Sequence, residues 1–395
     1  MYDAAMRQYQ RTHPWITFET IAPDRLGPRT WMLLGEARAA CSMLARLPLQ
    51  PAVAREMYTV ALTRGAQATT AIEGNTLTVE QVRGILTGDF TAPPSRAYQE
   101  REVRNVLEAL QGISEQAQGG SVPQITRALI CDYNRQILEG TERPADVVPG
   151  SVRRHMVGVG RYAGAPAEDC EYLLERLAGW LNSEAFRSED PAVQFAGHFL
   201  AAVCAHVYIA WIHPFADGNG RTARLLEFTI LARSGTLPLL AAHLLSDHYN
   251  LTRDRYYQEL AASSAQSSVA GFVAYAVEGF VDGLRAKHEQ VLEQQLRVTW
   301  TNFVQERLAD GPATPSRDRR QALVLGMAPG VIHSRTELAT LNTPVTALYA
   351  RVGPKTLSRD LNQLVDMGLV VKEEGGWRAN VDVLAAFLPP SGTTD

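Results

Sequence analysis

Residues 213–224 read HPFADGNGRTAR and run into the mostly apolar LLEFTILAR of residues 225–233. Gly218 and Gly220 let the backbone turn tightly and approach a ligand, and the segment after them has a helical pattern. The start of that helix offers an anion unpaired N–H groups and the positive end of the helix dipole. Arg221 and Arg224, three residues apart on one face, add guanidinium forks that suit phosphate oxygens. Asp217 beside a polyphosphate is a natural Mg²⁺ partner, because that ion takes one or two carboxylates together with substrate phosphates and water. His213, just ahead of the loop, can accept a proton near neutral pH. A base, a metal carboxylate, an anion hole and two arginines within one short string are what group transfer at phosphorus requires. Singly the elements say little, since a GNG turn before arginine is common and a histidine before proline is ordinarily a loop residue.

Working upstream, residues 195–212 are almost continuously apolar, close to the ~20 residues of a membrane span. His198 and His206 interrupt the run and no second span neighbours it, so a buried central helix is expected and no membrane partner. Asp190 and Pro191 give that helix a capping carboxylate and a preset first turn. Helical spacing from Leu26 to Ile85, broken at Pro48 and Pro51, predicts a helical N-terminal lobe. Helices are also expected over residues 97–114, 124–138 and 168–183. The Gly/Val-rich stretch between them predicts a β-hairpin from Val152 to Tyr162.

Downstream, the polar stretch 307–320 predicts a boundary. Beyond it lie a helix at Arg335–Leu341, a second at Val345–Val352, the segment PKTLSRDLNQLVDMGLV (354–370) and a strand pair with a glycine turn, the order of a winged helix-turn-helix. Lys355, Thr356, Ser358 and Arg359 stand near the start of its recognition helix and are types that contact phosphates and base edges. Residues 312–395 hold nine Lys or Arg against eight Asp or Glu, so the segment is not strongly basic, and DNA and protein docking both stay open.

The 395 residues suit two or three domains, and 46% hydrophobic with 20% charged residues describes a folded chain. A net charge of −4 excludes global attraction to nucleic acid or anionic lipid. Cys41, Cys131, Cys170 and Cys204 have no metal-like spacing and read as reduced packing residues. The N-terminal residues lack the pattern of a secretory signal, so a cytoplasmic location is expected.

The string at 213–224 resembles the Fic (Fic/Doc) family signature, HPFx(D/E)GNGRxxR, at every defining position. The resemblance takes in AHVYIAWIHPF with His206, the upstream hairpin as a flap, and LSDHYNLTRDRYYQEL downstream, about residues 20–285. Ala210 departs from it, standing where many relatives carry glutamate. The resemblance implies a protein adenylyltransferase using ATP and Mg²⁺ on a Ser, Thr or Tyr hydroxyl of a target protein. His213 would deprotonate that hydroxyl and Asp217 would hold Mg²⁺. Gly218, Asn219 and Gly220 would bind phosphate, and Arg221 and Arg224 the β- and γ-phosphates. Tyr256 and Tyr257 would line the nucleobase pocket, while Phe215 and His206 would be packing residues.

TTAIEGN at 69–75 resembles the family's inhibitory motif, (S/T)xxxE(G/N), with Thr69, Glu73 and Gly74 at its defining positions. A Glu73 paired with Arg224 would keep that arginine from the γ-phosphate. The expected fold is mainly α, a Fic-type helical bundle with a small β-hairpin flap and a C-terminal winged helix. Its parts are a lobe carrying the inhibitory motif (1–115), a catalytic core (116–285), a linker helix and loop (286–320) and the winged helix (321–395). A homo-oligomer fits this reading too. The alternatives are a de-AMPylase using the same site, or a nucleotide-sensing, DNA-binding transcriptional regulator.

Overall fold

The central apolar run becomes helix Pro191–Ile212, started by the Asp190 carboxylate, which accepts the Ala192 N–H at 2.7 Å. Such a cap contributes about 1 kcal/mol. In this computed structural model, which describes residues 6–47, 49–120, 123–159, 162–309, 314–353 and 355–385, the helix is 78% buried over its most apolar window. Burial over most of its surface explains why it carries so few of the polar residues that a surface helix would need. Its main neighbour is helix Asn219–Arg233, and the two form the axis of a unit spanning Met1–His288.

Helices wrap this axis. Gly27–Arg46 and Pro51–Ala71 form the N-terminal lobe, with Pro51 at a helix start and Pro48 outside the described residues. Val79–Thr87, Ala97–Gln118 and Arg127–Leu138 follow, the second continuing four residues past the expected end at 114. The residues expected to form a helix from 168 to 183 divide into a 3₁₀ turn, Ala167–Asp169, and helix Cys170–Leu181. Leu244–Leu251, Arg253–Ala265 and, as far as His288, the first part of the long helix Ala270–Ala309 complete the wrapping.

The hairpin is shorter than the sequence suggested. Its strands are only Gly158–Val159 and Tyr162–Ala163, antiparallel with Gly158 opposite Ala163, and residues 160 and 161 lie outside the described residues. Residues 152–157 are not strand, because Arg153 draws this stretch onto the central loop instead. Of the four cysteines, Cys41, Cys170 and Cys204 are buried and Cys131 is half-buried, all as free thiols.

The second unit spans Glu289–Asp395. Helices Pro315–Gly326, Arg335–Ala339, Thr343–Tyr349 and Lys355–Asp366 precede an antiparallel pair, Val370–Glu373 with Gly376–Ala379. Gly375 makes the turn with φ 95°, a conformation that favours glycine. Trp300, Val304, Leu308, Leu323 and Val324 join Leu357, Leu361 and Leu364 in one apolar core. The stretch 286–320, expected as a linker, therefore supplies residues to that core.

Candidate functional site

The loop between the two axial helices opens at His213, which ends the first helix in the left-handed region (φ 50°) with its N–H on Ile209 O at 2.9 Å. A non-glycine residue there costs about 1–3 kcal/mol and persists only where its surroundings fix it. Arg153 does the fixing. Its Nε donates to His213 O (2.7 Å), its backbone N–H to Pro214 O (3.0 Å) and its Nη1 to His155 O (2.7 Å), while Nη2 reaches Ala165 O. Tyr162 pins the hairpin to the same region by donating to Trp211 O at 2.7 Å. A Cβ on Gly164 would meet His213 Cβ at 2.8 Å, so this close approach requires glycine. Burial, and then the Arg153 charge, push the His213 imidazole down to about 4, leaving it neutral and able to take a proton at physiological pH.

Gly218 turns the chain with φ 78° into helix Asn219–Arg233, whose first turn is closed by Thr222 N–H on Gly218 O at 2.9 Å. The N–H groups of Asn219, Gly220 and Arg221 precede that bond, and first-turn amides of this kind suit an anion. The Asn219 side chain is otherwise engaged. Its Oδ1 accepts the Phe215 N–H (2.9 Å) and its Nδ2 donates to Phe215 O (2.8 Å), so the amide is engaged in bracing the loop. Asn219→Ala removes both bonds and is expected to destabilise the protein by about 1–3 kcal/mol, read as a lower Tm. An unchanged Tm would deny the brace. Asn134, which sequence reasoning missed, supports the same loop through Nδ2 to Asp217 O (2.9 Å) and holds Gly150 N–H at 3.0 Å.

Asp217 is half-exposed, with Oδ1 accepting the Gly218 N–H at 2.6 Å and lying 3.5 Å from Arg221 Nη2. Arg221 is nearly buried and its Nη1 meets Glu102 Oε1 at 3.3 Å. Arg224 is fully buried and donates through Nη2 to Glu73 Oε1 (2.6 Å) and Thr69 O (2.9 Å). Burial works against ionisation of Glu73, yet the Arg224 charge and hydrogen bond hold its carboxyl below the ordinary range. Gly74, φ 99°, lets the chain leave helix Pro51–Ala71 immediately beyond Glu73. The Nε atoms of both arginines are buried without a hydrogen-bond partner.

A cavity of about 400 Å³ lies over the loop. Of the residues singled out from sequence, His213, Asn219, Gly220, Glu73, Tyr256 and Tyr257 line it, joined by Ala210, Trp211 and Leu260. Asp217, Gly218, Arg221, Arg224, Thr69 and Gly74 are not among its lining residues. Tyr257 is part-exposed and donates to Ile72 O at 3.3 Å. His206 is buried as expected, but it also belongs to a polar chain. Its Nε2 is 2.9 Å from Tyr256 OH, its Nδ1 lies 3.3 Å from Glu227 Oε2, and Tyr256 OH is 3.5 Å from Arg224 Nη1. Lys355, Thr356, Ser358 and Arg359 belong to the second unit, where Lys355 and Arg359 are exposed and Thr356 and Ser358 half-buried.

Residues 124–231 match the Fic/DOC family. The chain is 32% identical over 215 residues to the protein adenylyltransferase fic-1 of Caenorhabditis briggsae, covering 52% of this chain and 40% of that protein. It is 30% identical over 210 residues to the protein adenylyltransferase Fic of Drosophila ananassae, covering 53% and 38%. The chain thus spans less than half the length of these curated relatives. Among solved structures, residues 134–508 of Fic-1 from C. elegans align with TM-score 0.54 and 26% identity, covering 67% of this chain and 73% of that one. A Fic family protein from Desulfovibrio desulfuricans G20 aligns with TM-score 0.54 over 91% of this chain and 97% of its own, at 22% identity, a likeness of fold.

Proposed function

We propose that this chain, whose residues 124–231 match the Fic/DOC family, is a protein adenylyltransferase that moves AMP from ATP onto a Ser, Thr or Tyr hydroxyl of a target protein and is restrained by Glu73. One observation carries this reading. A single cavity is lined by a neutral imidazole (His213), the glycine of a helix N-terminus (Gly220), two tyrosines (Tyr256 and Tyr257) and the carboxylate of Glu73. Its volume lies in the range of small-molecule sites.

In this mechanism His213 takes the proton of the target hydroxyl. The hydroxyl oxygen bonds to the α-phosphorus as the bond to the α–β bridging oxygen breaks, and pyrophosphate leaves. The first-turn N–H groups of helix Asn219–Arg233 receive phosphate oxygens, and Arg221 and Arg224 hold the outer phosphates. Asp217 would hold Mg²⁺. Its half-exposed carboxylate, beside the first turn of helix Asn219–Arg233, fits that role. Magnesium typically binds through one carboxylate plus phosphates and water, and when bound it neutralises phosphate charge. The hairpin offers a strand edge for the target backbone.

The test uses two labels. ATP labelled at the α-phosphorus is expected to label protein, whereas ATP labelled at the γ-phosphorus is not. Label from the γ position alone would make the enzyme a kinase and end this reading. A second reading rests on Glu73 and His213 lining one cavity. A carboxylate and a base there can also align water against an AMP-modified target, and release of AMP from such a protein is its assay.

We read the second unit as a winged helix whose helix Lys355–Asp366 presents Lys355 and Arg359 to a partner. If that partner is DNA, changing both residues to alanine lowers affinity and reduces the salt slope by about 2. Unchanged salt-dependent binding would assign the helix to protein docking.

A further inference from the structure

The turn that carries Glu73 also carries Asn75, and through it reaches the second arginine of the loop. Asn75 Nδ2 donates to Glu102 Oε2 (3.1 Å) and to Gln99 O (2.9 Å), while Asn75 Oδ1 accepts the Leu77 N–H (3.1 Å). The other oxygen of Glu102, on helix Ala97–Gln118, meets Arg221 Nη1 at 3.3 Å.

Arg221 has only 7% of its side chain exposed, and a guanidinium so withdrawn from water requires a carboxylate partner to stay in place. Glu102 is that partner more than Asp217 is, being both closer to the guanidinium and less exposed, 24% against 49%. The two arginines thus each meet a glutamate, but in different ways. Glu73 lines the cavity while it holds Arg224; Glu102, like Arg221 itself, lies outside the lining residues. A carboxylate that meets the guanidinium at one Nη fixes its direction and leaves its other donors for an anion.

We infer that Glu102 is a positioning residue which, braced by Asn75, holds Arg221 in the orientation that receives a nucleotide phosphate. The inference deepens the nucleotide reading of the site and rests on it. It also ties both arginines to one turn, Glu73–Asn75, directly for Arg224 and through Glu102 for Arg221.

Calorimetry tests it with ATP and with adenosine, on Glu73→Gly and on Glu73→Gly/Glu102→Gln. Gln keeps the size of the side chain and loses its charge. Loss of the charge is expected to weaken ATP binding about tenfold and to leave adenosine unchanged, because only the phosphates meet Arg221. Glu73→Gly/Asn75→Ala is expected to move ATP in the same direction by about threefold, and it carries the test if Glu102→Gln lowers Tm enough to unfold the protein. Equal ATP binding in parent and variants, or an equal loss of adenosine, overturns the inference. Tighter ATP binding also overturns it, making Glu102 a second competitor. A parent that binds neither ligand overturns the nucleotide reading itself.

Discussion

Glu73→Gly is expected to raise the rate of AMP transfer about 10²-fold, the scale on which one preorganised donor acts at a charged transition state. The donor at issue is Arg224. In the resting protein its Nη2 is divided between Glu73 Oε1 at 2.6 Å and the carbonyl of Thr69 at 2.9 Å, and its Nη1 faces Tyr256 OH at 3.5 Å. A phosphate has to displace the carboxylate to use that guanidinium, and burial of Arg224 makes the existing pair hard to exchange through water. Removing the carboxylate frees the arginine without leaving it adrift, since Thr69 O and Tyr256 remain beside it. Glu73→Gln, which keeps the side chain and cancels its charge, is expected to fall between wild type and Glu73→Gly. The measurement is the initial rate of α-label incorporation at fixed ATP and Mg²⁺. An unchanged rate in a folded Glu73→Gly protein would remove Glu73 from regulation.

The loop-to-helix turn at 213–224 was readable because its residues are contiguous: the histidine, aspartate, glycines and arginines follow one another in the chain, and the turn at Gly218 is local. Asp190 and the apolar run after it announced the central helix for the same local reason. The residues that hold the loop were not readable. Arg153 lies 60 residues from His213, Asn134 lies 83 from Asp217, and Glu102 lies 119 from Arg221. Nothing in the periodicity of either segment pairs them. A glutamate on an amphipathic helix reads as a solvated face until the fold brings a buried arginine to it. Asn219 shows a different limit. An asparagine between two glycines has the same appearance whether its amide meets a ligand or its own loop, and only the two bonds to Phe215 decide for the loop. The hairpin was over-extended for a related reason. Its Gly/Val composition suits strands, but the contacts of Arg153 with the loop claim the residues before Gly158.

His213→Ala in the Glu73→Gly background is expected to lower transfer by about 10²–10⁴-fold, the usual share of a general base, while ATP binding stays near that of the parent. The separation follows from the geometry. Phosphate contacts fall to helix N–H groups and arginines, whereas the imidazole stands at the opposite end of the loop, held by its own backbone bonds to Ile209 and Arg153. Loss of ATP binding along with turnover would instead mean that His213 shapes the loop, a role its left-handed backbone makes worth excluding. The pH profile gives an independent reading. Burial first, and then Arg153, hold the imidazole at about 4, below its unfolded value of about 6.5. The base is therefore neutral and competent above that lower value, and the acid limb of the rate is expected near 4 in place of 6.5. The same shift has a sign for stability. Between the two values the unfolded chain binds the proton and the folded site does not, so His213 stabilises the fold less as pH falls through this window. His213→Ala should then flatten both the acid limb of the rate and the part of the Tm–pH curve between about 6.5 and 4. An acid limb that stays at 6.5 in the parent, or a Tm–pH curve unmoved by the substitution, would show that the proton is taken elsewhere.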